Sequence, residues 1–236
     1  MNILITGASR GIGRAIVYRF AADKGNHIIA IARDEKALED MHADALNKKL
    51  AGKISILPFD LNYLMKENDL AEQVQSIIGT VDILINNAGY LVMKAFTGIT
   101  KEELQASVTV NFAAPALLIR DLIPLMGKNG TSHVVNISSM GGYQGSVKFP
   151  GLSMYSASKG ALAVLTECLA EEYKEKKIVF NCLALGAVQT EMLEEAFPGY
   201  KAPIEVNDMA DFIADFSISG PRFFNGKILP VSSTTP

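Results

Sequence analysis

Short runs rich in Val, Ile and Leu alternate with helical patterns along nearly the whole chain, and this alternation limits the fold more than any other feature. Strand-like runs cover residues 3–6, 27–32, 53–58, 81–86, 131–138, 178–185 and 227–231. Helical patterns cover about 13–24, 35–50, 66–78, 101–126 and 155–176. The strand runs are apolar almost without interruption, as required when both faces of a sheet are covered. Regular β–α alternation implies a parallel sheet wrapped on both sides by helices. The expected fold is α/β, a doubly wound Rossmann-type sheet of about seven strands, with residues 1–236 forming one domain. No internal repeat and no Pro/Gly-rich linker divides it. Two irregular stretches, about 140–154 and 187–203, follow strands. They belong at the carboxyl edge of the sheet, where such folds bind ligands.

Composition narrows the function classes. The chain has 236 residues, a net charge of −3 and no basic block, which argues against nucleic acid as a partner. No uninterrupted apolar run reaches about 18 residues, so no membrane span is expected. The start of the chain lacks the basic and apolar segments of a leader, which points away from secretion and toward the cytoplasm. Cys168 and Cys182 lie in apolar context and read as buried free thiols, consistent with a reducing compartment. His27, His42 and His133 show no metal-ligand spacing and read as surface or strand-edge residues. No metal is expected.

The first strand runs into Thr6-Gly7-Ala8-Ser9-Arg10-Gly11-Ile12-Gly13, which opens the first helix. The glycines permit a tight turn and let the backbone approach a pyrophosphate, and the helix N-terminus supplies N–H groups and a positive dipole end. In this strand–turn–helix context the G-x-x-x-G-x-G spacing points to a dinucleotide. No G-K-[ST] follows, which disfavours a P-loop. At the end of the second strand, Arg33 can clamp a 2′-phosphate through a bidentate contact, and Arg10 can reach the same place. Asp34 offers the alternative, an acid for the ribose hydroxyls, but it also suits the N-cap of the next helix, and that reading is favoured. The cofactor expected is therefore NADP(H), with NAD(H) second. Asp60, after the third strand, either accepts from an adenine amino group or caps a turn. Asn86-Asn87-Ala88-Gly89 ends the fourth strand; its small residues let the chain pass close to adenosine, and its amides can tie strands together.

Tyr155 and Lys159 stand four apart in a helical pattern and share one face. A phenol titrates near pH 10. A cation about 4 Å away, at an effective dielectric of about 20, is worth roughly 4 kcal/mol, or about three pKa units. That would bring the tyrosine into the range of acid–base catalysis. The same pair also occurs on solvated helix faces, so the rest of the chain has to decide. Asn111 is a poor helix former inside a helical pattern. Pro115 lacks an N–H, so the Asn111 carbonyl loses its donor four residues on, and a kink is expected. Ser138-Ser139, taken alone, reads as a strand terminus.

These residues together resemble the short-chain dehydrogenases/reductases of the classical type. The likeness covers nearly the whole chain: Thr6-Gly7-x-x-x-Gly11-x-Gly13, Asp60, Asn86-Asn87-Ala88-Gly89, Asn111, Ser138-Ser139, Tyr155-x-x-x-Lys159 and Gly186-x-x-x-Thr190. The resemblance implies a catalytic tetrad of Asn111, Ser139, Tyr155 and Lys159. Tyr155 would exchange the proton with the substrate oxygen, Ser139 would hold that oxygen, and Lys159 would bind the nicotinamide ribose. The Asn111 carbonyl would hold a water linking Lys159 to solvent. It further implies that Gly7, Ser9, Arg10, Gly11, Ile12, Gly13, Arg33, Asp60, Leu61, Asn87, Ala88 and Gly89 contact the dinucleotide, with Gly186, Val188 and Thr190 at its carboxamide. The expected activity is NADP(H)-dependent interconversion of a carbonyl and an alcohol. The alternatives are an NAD-dependent alcohol dehydrogenase and a non-catalytic dinucleotide-binding protein. A homodimer or homotetramer is implied, through the helices of Asn111 and Tyr155. Two departures stand out. Leu185 occupies a position where proline is usual, so the following turn should be less rigid. The Ser139–Tyr155 spacing is about three residues longer than usual, so residues 145–153 should bulge over the substrate. Phe149, Leu152 and Met154 are candidate pocket residues, with Met192 and Phe197 in a short lid.

Overall fold

The computed structural model describes residues 1–66 and 69–233. Seven strands form one parallel sheet in the order β3-β2-β1-β4-β5-β6-β7. They are β1 (Asn2–Thr6), β2 (His27–Ala32), β3 (Lys53–Pro58), β4 (Ile83–Asn86), β5 (Ser132–Ser139), β6 (Ile178–Leu185) and β7 (Lys227–Val231). Chain order reverses between β1 and its neighbour β4, whose partners include Ile3 with Ile83 and Ile5 with Ile85. Such a switch point opens a crevice beyond the strand ends.

Strand residues alternate between two apolar layers. Ile3, Ile5, Ile28, Ile85 and Leu183 pack under α1 (Gly11–Ala21), α2 (Glu35–Asn47) and α8 (Val206–Ser219) through Ile16, Phe20, Met41, Met209 and Ile213. Leu4, Ile29, Leu84, Val134 and Phe180 pack on the other face. There they meet α3 (Leu70–Ile78), α5 (Ala114–Leu122) and the end of α6 (Ser153–Glu172). Burial on both faces explains why these strands carry no polar alternation.

Several sequence expectations shift. The helix expected from residue 66 is observed from Leu70; residues 67 and 68 lie outside the described residues. Helix α8 has no counterpart in the expectation. Its apolar spacing (Val206, Met209, Ile213, Phe216) was the available signal. The long helix near Asn111 is α4 (Lys101–Val108), a π-helical turn at Thr109–Ala113, and α5. In place of a simple kink, the turn widens, with the Ala114 N–H donating to the Thr109 carbonyl. The stretch Lys101–Leu125 is long and apolar enough, by length and composition alone, to cross a membrane, which uninterrupted runs did not reveal. Here it buries Leu118, Ile119 and Leu122 against the sheet, as a core helix does.

His133 is a second correction. It is buried, not at an edge: Nδ1 donates to the Ser217 carbonyl at 2.9 Å, and Nε2 accepts from Asn181 Nδ2 at 3.0 Å. Desolvation pushes its pKa down to about 4, so a neutral imidazole serves the core. Of the two free thiols, Cys182 is buried as expected, but Cys168 is exposed, because it falls on the outer face of α6.

Candidate active site

The glycine turn is shaped by contact as much as by backbone angle. Gly7 has φ 66°, and a Cβ there would lie 2.8 Å from the Ala88 Cα. A Cβ on Gly13 would lie 2.1 Å from the Gly7 carbonyl oxygen, closer than any side chain allows. The turn is held from both sides. The Ala8 N–H donates to Ile31 O, and Asn87 Nδ2 donates to Thr6 O and Gly7 O at 3.0 and 3.2 Å. The Asn87 and Ala88 N–H groups both donate to Thr6 Oγ1. The N-terminus of α1 thus opens on a fixed ring of main chain, at the end where an anion is stabilised.

This turn forms one end of a cleft of about 720 Å³. Its wall includes Gly7, Ser9, Arg10, Gly11, Ile12, Gly13, Arg33, Asp60, Leu61, Asn87, Ala88, Gly89, Gly186, Val188 and Thr190, and at the far end Ser139, Tyr155 and Lys159. The structure therefore brings together every residue expected at the dinucleotide and three of the expected tetrad. Arg33 is exposed, and among the described residues no carboxylate pairs with it. Arg10 lies 3.6 Å from Glu195, an exposed pair. Asp34 caps α2 by accepting from the Ala37 N–H at 2.9 Å, as favoured from the sequence. Asp60 Oδ1 accepts from both the Asn62 N–H and its side-chain amide, so it caps a turn while lining the cleft.

At the chemical end β5 and α6 converge. Ser138 is buried and donates to the Lys159 carbonyl at 2.9 Å. Ser139, the next residue on an alternating strand, faces the cleft, and its Oγ accepts from the Gly141 N–H at 3.2 Å. Lys159 is 2% exposed, with Nζ donating to the Ile137 carbonyl at 2.8 Å. Burial pulls the Lys159 pKa down to about 8. The expected softening of the phenol is not met. Desolvation pushes the Tyr155 hydroxyl up, offset in part by its hydrogen bond with Ser139. The Lys159 ammonium sits 6.0 Å from the ring centroid. Helical spacing puts the two on one face, but enclosure acts on both groups more strongly than their mutual attraction.

Asn111 does not reach the cleft wall. Wholly buried, its Oδ1 accepts from the Tyr90 N–H, and its Nδ2 donates to Tyr90 O and Ser158 Oγ, at 2.8, 2.8 and 3.0 Å. Its side chain thereby fixes the loop after β4. Phe149, Leu152, Met192 and Phe197 line the cleft, whereas Met154 does not. Tyr90, Leu91, Val110 and Tyr200 line it without having been expected. Tyr90 and Leu91 directly follow Gly89, so their neighbourhood was the signal. The lid contains a helix, α7 (Glu191–Ala196), capped by Thr190 Oγ1 accepting from the Leu193 N–H. The turn after Leu185 is held by the Gly186 N–H donating to Val231 O at 2.9 Å. A Cβ on Gly186 would meet Ser232 Oγ at 2.4 Å. Anchoring by β7 supplies the constraint that proline would have given.

Residues 1–201 match the family described as short chain dehydrogenase. The chain belongs to this family. It is 32% identical over 222 residues to a fatty acyl-CoA reductase of Acinetobacter baylyi, covering 93% of this chain and 73% of that protein. It is 31% identical over 209 residues to the 3-oxoacyl-[acyl-carrier-protein] reductase FabG of Aquifex aeolicus, covering 85% and 81%. Other curated relatives are longer, and the chain spans 58–61% of their length. Among solved structures, an L-sorbose reductase of Gluconobacter frateurii complexed with NADPH and L-sorbose superposes with a TM-score of 0.86. It is 25% identical, with 99% of this chain and 95% of that one covered. This member of the short-chain dehydrogenase family is thus an oxidoreductase with a seven-stranded Rossmann-like sheet.

Proposed function

We propose that this chain is an NADP(H)-dependent oxidoreductase that interconverts a carbonyl and an alcohol, with Tyr155 as the acid/base. The observation that carries the reading is one continuous cleft with two arginines beside a glycine turn at one end and Ser139, Tyr155 and Lys159 at the other. The cradle fits a dinucleotide: side chains on Gly7 and Gly13 would collide with main chain, so that surface stays bare for a pyrophosphate. Arg33 and Arg10 would hold the 2′-phosphate, Lys159 the nicotinamide ribose, and main chain near Val188 with Thr190 the carboxamide. When bound, the nicotinamide supplies or accepts the hydride.

The protein's own residues handle the proton and the position. Burial keeps the Tyr155 phenol protonated, the state needed to donate to a carbonyl oxygen as it becomes an alcohol. Ser139 holds the same oxygen and offsets part of the burial effect on the phenol. Lys159 keeps a positive charge below pH about 8 and favours the phenolate left after donation. The Asn111 side chain keeps the loop of Gly89 and Tyr90 in place, and its carbonyl would hold the water that returns the proton. The same reading includes a homodimer or homotetramer, supported by exposed Leu104 on α4 and Val164 on α6, and a cytoplasmic setting, supported by two unpaired thiols. Titration of the protein with NADPH and NADH, followed by carbonyl reduction with the tighter one, tests the reading. It fails if neither nucleotide binds, or if Tyr155→Phe reduces a carbonyl as fast as the parent.

A further inference from the structure

Apart from the reacting Lys159, the charged side chains of the cleft lie at its nucleotide end. Arg10, Arg33, Asp34 and Asp60 line that half. The Glu191 carboxylate also belongs there, since it would lie 3.5 Å from a Cβ on Gly11. Beyond Gly89 the wall changes character. Leu91, Val110, Leu152 and the lid residues Met192 and Phe197 come from four segments and line the same cleft. The polar side chains that line the cleft with them include the reacting Ser139, Tyr155 and Lys159 and the phenols of Tyr90 and Tyr200. A polyol loses a water partner for each hydroxyl it brings into such a space, and each unpaired hydroxyl is costly. The cation available to a charged group next to the carbonyl is Lys159, which the Ile137 carbonyl already engages.

Phe149 lines the cleft and is 44% exposed, and Met93 and Val147, in the two loops at this rim, are 44% and 51% exposed. Their two loops are joined where the Lys94 N–H donates to Gly151 O at 3.0 Å, and a Cβ on Gly151 would touch Met93 Cγ. The lysines of this rim are turned to other partners. Lys148 Nζ donates to Tyr143 O and Ser146 Oγ of its own loop, and Lys94 pairs with Glu103. Large apolar side chains left in water beside a cleft mark a contact surface.

We infer that the substrate is a carbonyl compound with an extended apolar chain, which leaves the chemical end of the cleft across Met93, Val147 and Phe149. This rests on the oxidoreductase reading above and names its substrate class. The test uses the full chain with NADPH and a series of 2-alkanones of roughly four to ten carbons, with L-sorbose and pyruvate for comparison. Each added methylene should raise kcat/KM roughly threefold until the chain outruns the surface. L-sorbose and pyruvate should fall about a hundredfold below the best ketone. Phe149→Ser and Met93→Ser should flatten the chain-length series, and Phe149→Leu should restore it. Calorimetric binding of the same compounds to the NADP⁺-loaded protein gives a readout that needs no turnover. If no compound is reduced but affinity climbs with chain length, the oxidoreductase reading falls and the apolar site stands. If L-sorbose or pyruvate is preferred, or chain length has no effect in either measurement, the apolar-chain inference is overturned while the oxidoreductase reading is judged on reduction alone.

Discussion

At the nucleotide end the cleft is made of main chain: glycines pressed against each other and against the chain just past β4, an open helix N-terminus, and arginines standing out in water. At the chemical end it is made of side chains, with Lys159 buried and Tyr155 desolvated. The two ends should therefore fail in opposite ways. Where main chain makes the surface, one added carbon is ruinous and a changed charge is mild. Where enclosed titratable groups make it, a change of one polar atom removes the chemistry while the fold persists.

The sharpest way to break this comparison is Tyr155→Phe, which deletes one oxygen. It should lower kcat about a thousandfold with little change in the thermal midpoint or in NADPH affinity. A variant that instead loses its fold would place the phenol in the architecture. Gly13→Ala is the mirror experiment. Its methyl would sit 2.1 Å from the Gly7 carbonyl and 2.6 Å from Asn87 Nδ2, so we expect destabilisation of roughly 3 kcal/mol, read by urea denaturation. Unchanged stability would mean that the turn yields easily.

Lys159 offers a test by pH. Its pKa falls from 10.5 to about 8 in the fold, so the unfolded chain holds more protons between those values. Stability then rises with pH across that window, by up to about 3 kcal/mol. The Tyr155 phenol, raised in the fold, opposes this as pH climbs past its ordinary value. Denaturation of the parent and of Lys159→Met, compared from pH 7 to 10.5, should isolate the lysine: the parent gains on the variant as pH increases. Parallel curves would mean that the ammonium is well solvated. The smallest effect belongs to the exposed arginine. Arg33→Asp should weaken NADPH relative to NADH roughly tenfold and leave stability unchanged. An unaltered ratio of the two dissociation constants would remove Arg33 from cofactor selection.

The parts of the molecule legible beforehand were those governed by local rules. The bounds of β2, β3, β6 and β7 were readable because continuous β-branched and apolar runs ended at turn residues. The cap at Asp34 was readable because its bond spans three residues. Helix α8 escaped although its apolar spacing was there to be read; the exposed Asp208, Asp211 and Asp215 stand between its buried residues along the chain but lie off the buried face. His133 escaped because its partners, Ser217 and Asn181, are distant in sequence, although the apolar run that follows it, Val134 and Val135, was a local sign of burial. The same distance hid the second function of Asn111, whose side-chain partners are Tyr90 and Ser158.

The amino-acid order alone determined the alternating architecture, the position of the glycine turn and the identity of the polar groups available for chemistry, because hydrophobic periodicity and backbone permissiveness act over a few residues. Only the folded arrangement decided how those groups behave. It turned Ser138 inward and Ser139 toward the cleft, held Lys159 on a strand carbonyl, and made desolvation outweigh attraction at Tyr155. Ionisation depends on every neighbour within several ångströms, and those neighbours come from strands and loops far apart along the chain.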